Sequence, residues 1–85
     1  MTFRQYLQTQ RTRQDAVGAF ARVALADHAF PFQRVGRQPS HYGRDRLRGY
    51  LEFGDSGRPL IDAAQRAYLE WWEMQRITRA HGGDV

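Results

Sequence analysis

The chain has 85 residues, a net charge of +4, five Phe, four Tyr, two Trp and no Cys. It is long enough for one small domain, burying only about 60–65% of its unfolded surface, so its core must rest on large aromatic side chains. The missing Cys excludes a disulfide framework and a thiolate metal site, and it favours a reducing, intracellular setting.

Strand signals are weak, because alternating β-branched runs are missing; helical spacing recurs along the chain. The first expected helix is Phe3 to about Gln10, with Thr2 as N-cap and Phe3, Tyr6, Leu7 and Gln10 on one stripe. It is too short to stand alone and must dock. The second runs from about Asp15 to Asp27. Asp15 caps it, Val17, Phe20, Ala21 and Ala24 form its buried face, Leu25 flanks that face and Arg22 points away.

Phe30-Pro31-Phe32 ends this helix, since the residue before a proline is pushed out of the α region. Residues 33–43 read as a loop. A short third helix is expected over about Arg44 to Glu52, with Leu47, Tyr50 and Leu51 as its stripe and Gly49 weakening it. Gly54-Asp55-Ser56-Gly57 reads as a turn.

The last helix carries the strongest signal. Pro59 suits its first position and Asp62 its first turn. Leu60, Ile61, Ala64, Ala67, Tyr68, Trp71, Trp72 and Met74 form a broad apolar arc, with Trp71 near its middle and Trp72 near its edge. Asp62–Arg66 and Arg66–Glu70 are expected ion pairs on the outer side. Residues 1–80 read as a single helical domain and His81 to Val85 as a flexible tail. Phe3, Tyr6, Phe20, Phe30, Tyr50, Tyr68 and Trp71 are assigned to the core, while Tyr42 and Trp72 are candidates for exposure.

In order, these stripes carry five short motifs: Thr2-Phe3-x-x-Tyr6-Leu7-x-Thr9-Gln10, Arg13-x-Asp15-x-x-Gly18, Leu25-x-Asp27-x-x-Phe30-Pro31, Arg48-x-Tyr50-Leu51-Glu52 and Ala67-Tyr68-x-Glu70-Trp71. Together they resemble the YozE-type family of short bacterial proteins with a SAM-like (sterile alpha motif-like) fold, over about residues 2–72. The resemblance implies an all-α, SAM-like bundle of four to five short helices closed by a longer C-terminal helix. It implies no catalytic motif. SAM-like folds mostly bind proteins or nucleic acids, an analogy at the level of fold. Two features depart from the pattern: the loop at 32–43 is rich in Arg and Gln, and Ala64 stands where an aromatic is expected, with Trp72 as its potential replacement.

Every basic side chain is Arg, and five of them, Arg34, Arg37, Arg44, Arg46 and Arg48, lie within residues 33–48, opposed only by Asp45. GC-rich coding would account for Arg in place of Lys but not for this clustering. Residues 1–32 carry +2, residues 33–48 carry +4 and residues 49–85 carry −2. A basic middle and an acidic end suit head-to-tail contacts between copies or an anionic partner. Together with Tyr42, which could stack a base, the five Arg are the candidate nucleic-acid or anion-binding residues; the plain alternative is a solvated basic surface.

Ser40, His41 and Asp45 contain the elements of a nucleophile–base–acid set, but a chain this small rarely provides the pocket such a set needs. His28, His41 and His81 lack metal-ligand spacing. The residues therefore predict a non-enzymatic interaction module that binds a protein partner or itself, with nucleic acid as the alternative partner. No cofactor, metal or small-molecule substrate is expected. The start has no apolar h-region and no run reaches the length of a bilayer span, so the expected location is the cytoplasm, away from the membrane.

Overall fold

The computed structural model describes residues 1–35, 37–54 and 57–82. Among them, five helices build the fold: α1 (Phe3–Gln10), α2 (Ala16–Ala26), α3 (Phe32–Val35), α4 (His41–Phe53) and α5 (Arg58–Gly82). The long α5 packs against α1, α2 and α4, and the short α3 bridges α1 and α4. The all-α class expected from the sequence is what the chain adopts, with no strand among the described residues.

Side-chain caps set the starts of α1, α2 and α4. The Gln5 backbone N–H donates to Thr2 Oγ1 at 3.2 Å and the Thr2 backbone N–H donates back to Gln5 Oε1 at 2.8 Å, a reciprocal capping box. Asp15 accepts from the Gly18 N–H at 3.1 Å and begins α2. Ser40 accepts from the Gly43 N–H at 2.9 Å and begins α4 three residues ahead of the expected Arg44. The apolar stripe starting at Leu47 is blind to this cap, so Ser40 and His41, expected in a loop, belong to the start of α4 instead.

The stretch at 33–43 also holds α3, where a loop was expected. The Arg34 and Val35 N–H groups donate to the Pro31 carbonyl, and Val35 is fully buried, which fixes the turn. α5 starts at Arg58, so Pro59 stands second, and Asp62 falls beyond the first turn. Asp62 pairs with Arg58 at 3.7 Å instead of with Arg66. The expected pair of Arg66 with Glu70 forms at 3.4 Å. α5 continues through His81 and Gly82, which the sequence reading placed in the tail; residues 55–56 of the expected turn and 83–85 of the tail lie outside the described residues.

The core is aromatic at its centre. The Phe3 ring lies 5.3 Å from Trp71, 5.4 Å from Tyr68 and 6.4 Å from Phe20. Trp71 is fully buried and its indole N–H donates to the Met1 carbonyl at 3.0 Å, which fastens the chain start to α5. The Tyr68 hydroxyl donates to the Ser40 carbonyl and accepts from the Ser40 N–H, which locks the start of α4 onto α5. Gly43 sits in that joint: a Cβ there would come within 2.2 Å of the Val35 carbonyl oxygen and 2.6 Å of the Tyr68 hydroxyl.

Of the seven aromatics assigned to the core, Tyr50 alone is half-buried, at the rim. Ala64 is fully buried, and Trp72 is half-buried with its ring centre 5.2 Å from His41 and 6.1 Å from Tyr68. Among the described residues no helix is long and apolar enough to cross a membrane.

Candidate functional site

α4 presents two different faces. Gly43, Leu47 and Leu51 are buried against the bundle. Tyr42, Arg46, Gly49 and Phe53 recur at helical spacing on the opposite side and are exposed. Tyr42 is 63% exposed, and Phe53, the last residue of α4, is 95% exposed. The Arg46 guanidinium carbon lies 4.8 Å from the Tyr42 ring centroid, a cation–π contact that covers one side of that ring.

Beside this face runs an open groove of about 910 Å³, lined by the outward residues of α4 together with Asp45, Tyr50, Ala29, Pro31 and Arg34. A second depression on the far side of Phe53, lined also by Val23, Ala24 and Leu60, extends the apolar surface toward α2. Val23 is 52% exposed.

The five clustered Arg do not share one face. Arg34 and Arg46 line the groove. Arg44 is half-buried against α5, with its guanidinium 3.5 Å from Gln65 Oε1. Arg48 is paired with Glu52 at 2.8 Å, one turn on. Arg37 lies in a separate depression with Thr2, Arg4, Phe32 and Gln33. Helical geometry explains the split, because residues two apart on a helix project nearly opposite ways, so Arg44, Arg46 and Arg48 cannot act as one patch.

The sequence reading missed two members of this surface. Arg4 on α1 lies 5.7 Å from the Phe32 ring centroid and lines two shallow depressions around Phe32. Phe53 is the other. Both stand off the buried stripe of their helices, and a large ring at a helix end outside the stripe was the available signal.

The remaining charges form the scaffold. Glu70 on α5 accepts from the Tyr6 hydroxyl at 3.0 Å and from Arg13 at 2.7 Å, and Arg13 also donates to Asp15. Burial pushes Glu70 up, but the Arg13 and Tyr6 hydrogen bonds outweigh it and hold Glu70 below its ordinary value. Tyr6 is pushed up to about 12 by burial and by its bond to Glu70. Asp15 is lowered by the Gly18 N–H and by Arg13. Asp27 is lowered by the Tyr50 hydroxyl at 2.7 Å and the Ala29 N–H at 2.9 Å. Arg22 donates to the carbonyls of Arg11 and Arg13, and the Arg13 carbonyl would lie 2.0 Å from a Cβ on Gly18. These ties join α1, α2 and α5, and Asp27 to α4.

The Ser40, His41 and Asp45 side chains each have different surroundings. The Ser40 hydroxyl accepts the cap from Gly43, the His41 ring lies 5.2 Å from Trp72, and Asp45 lines the groove. Among the described residues no group of His, Asp and Glu is placed to hold a metal ion.

The motif residues fall largely within this scaffold. Thr2 caps α1, Tyr6, Arg13, Asp15 and Glu70 form one polar network, Asp27 binds Tyr50, and Tyr68 and Trp71 anchor α4 and the chain start. Comparison with curated proteins and with solved structures finds no match. The family model described as YozE SAM-like fold matches residues 2–73, a span holding all five helix starts and the whole polar network, and the chain belongs to that family.

Proposed function

We propose that the chain is a small, non-enzymatic interaction module that binds a protein through the exposed face of α4 and the Ala29–Arg34 corner beside it. The observation that carries this reading is Phe53, 95% exposed and set next to a groove that also holds Tyr42, Arg34 and Arg46. Covering such a ring is worth about 1.5–3 kcal/mol. Binding energy at interfaces concentrates in aromatic and Arg anchors of this kind. The Ser40 hydroxyl serves as the cap of α4, accepting from the Gly43 N–H, which supports binding over catalysis.

The test is capture from a nuclease-treated lysate of cells that express the chain. The immobilised protein is expected to retain specific proteins that the Phe53→Asp variant does not. Equal retention by both would contradict the reading. Sedimentation velocity at rising concentration reports whether a second copy is among the partners.

A second reading has its own support. Arg4, Arg34, Arg37 and Arg46 have no carboxylate partner among the described residues, so their charge faces solvent. Contact with nucleic-acid phosphates would use this set in place of the sequence cluster. Exchanging Arg34, Arg37 and Arg46 for Gln should then weaken binding to all sequences and flatten its salt dependence, while Arg48→Gln should do neither. Absence of binding at low salt would leave these residues a solvated surface.

A further inference from the structure

The charges of this molecule are distributed unevenly between paired and unpaired groups. The described acids of α5 each have an Arg partner: Asp62 with Arg58, Glu70 with Arg13 and Arg66, and Glu73 with Arg76. Glu52 is held by Arg48. In contrast, Arg34 and Arg46 have no carboxylate partner among the described residues, yet both line the groove along α4. Among the described residues, the acids that a second copy would offer from its C-terminal half are therefore already engaged by Arg of the same molecule.

The rest of the groove is apolar or aromatic: Ala29, Pro31, Tyr42, Tyr50 and Phe53. Gly49 forms part of its floor, and a Cβ built there meets nothing within 4 Å, so the α4 backbone is open to close approach. Asp45 stands in the same groove. A phosphodiester strand, with a charge at every step, would lie against Asp45. A peptide can set its carboxylates at the two Arg and present an N–H or an apolar group elsewhere. One side of Tyr42 is already covered by Arg46, which leaves less of the ring for base stacking.

We propose that the groove between α4 and the Ala29–Arg34 corner docks an acidic segment of a partner protein, one that sets carboxylates against Arg34 and Arg46 and a bulky apolar side chain against Phe53 and Tyr50. The proposal rests on the protein-binding reading above and adds the chemistry of the partner. Aromatic and Arg anchors around an apolar groove supply the binding, and the paired charges supply the selection. Asp45 selects against long runs of acid, so the segment carries one or two carboxylates flanking its apolar residue.

The test is selection of a random phage-displayed peptide library on the immobilised full chain, followed by fluorescence anisotropy of the enriched peptides made synthetically. The enriched sequences are expected to combine Asp or Glu with Phe, Leu or Trp. Their affinity should fall at least about tenfold in Phe53→Ala and in the double variant Arg34→Glu, Arg46→Glu. It should also fall with rising salt, and Arg76→Glu should leave it unchanged. Circular dichroism melts of each variant confirm that the fold is kept.

Enriched peptides without acids, or acidic peptides indifferent to both variants, would overturn the proposal while leaving protein binding itself intact. No enrichment, with duplex DNA or single-stranded RNA bound through Arg34 and Arg46, would overturn both.

Discussion

The Arg46 guanidinium sits 4.8 Å from the centre of the Tyr42 ring, one turn further along the outer face of α4. The contact holds a long, flexible cation in place beside the groove, so less freedom is lost when a partner's carboxylate arrives. Tyr42→Ala should therefore weaken binding of an acidic partner even where the ring makes no contact with it. Phe at this position should restore most of the affinity. Anisotropy titrations of the three proteins with one labelled peptide check this.

Phe53 is nearly free of the bundle, and its replacement should separate function from folding. Phe53→Ser is expected to change stability by no more than about 0.5 kcal/mol. Denaturant melts of the two proteins give that difference directly. A much larger loss would show that the ring contributes to the fold.

The glycines of α4 make opposite predictions. Gly49→Ala should stabilise the protein by about 0.5–1 kcal/mol, because helix propensity improves and the added methyl meets nothing. Gly43→Ala should destabilise it, because the methyl would collide with the Val35 backbone and the Tyr68 hydroxyl that joins α4 to α5. Thermal melts of the pair measured side by side are sufficient.

Acid should unfold this protein through a few identified carboxylates. Asp15, Asp27 and Glu70 have folded values below their ordinary 3.8, 3.8 and 4.5. The unfolded chain therefore takes up these protons first as pH falls. Their stabilisation is present above about pH 4.5 and is lost progressively below it. Glu70→Gln should cost about 1–2 kcal/mol near neutral pH and make the acid limb shallower. Melting temperature against pH for both proteins is the measurement.

At the alkaline end the sign reverses. Tyr6 is raised from 10.0 to about 12 in the fold, so its contribution is complete below pH 10 and is lost as pH rises toward 12. Tyr6→Phe should remove that share of the alkaline transition. Tyr50 is also raised, by its bond to Asp27, so ultraviolet titration of tyrosinate should show one late-ionising group fewer in the variant than in the parent protein.

The helices were legible where spacing and caps agree. Thr2 and Asp15 are read from the sequence and cap in the fold, and Trp71 lies at the centre of the arc as its position requires. The start of α4 was not legible, because the signal is one Ser hydroxyl ahead of a segment rich in Arg and Gly. α3 was hidden because it is only four residues long and depends on the Pro31 carbonyl and on the burial of Val35.

The lining of the candidate groove was partly legible. Arg34, Arg46 and Tyr42 do line one groove, but proximity along the chain grouped them with Arg44 and Arg48, which the helix turns away. Arg4 joins the exposed cations only through the packing of α1 on α3, a contact between distant parts of the chain. Phe53 lies one residue past the expected end of the helix at Glu52 and off the Leu47, Tyr50 and Leu51 stripe, so the stripe did not mark it.

The most direct test of the central claim is site-specific photo-crosslinking in living cells. A photoreactive phenylalanine at position 53 replaces the exposed ring, and one at position 73, on the outer side of α5, is the control. The account predicts discrete protein adducts from position 53 that are missing from position 73 and are lost when Arg34 and Arg46 are both changed to Glu. Adducts that form equally from both positions, or adducts to nucleic acid alone, would contradict it.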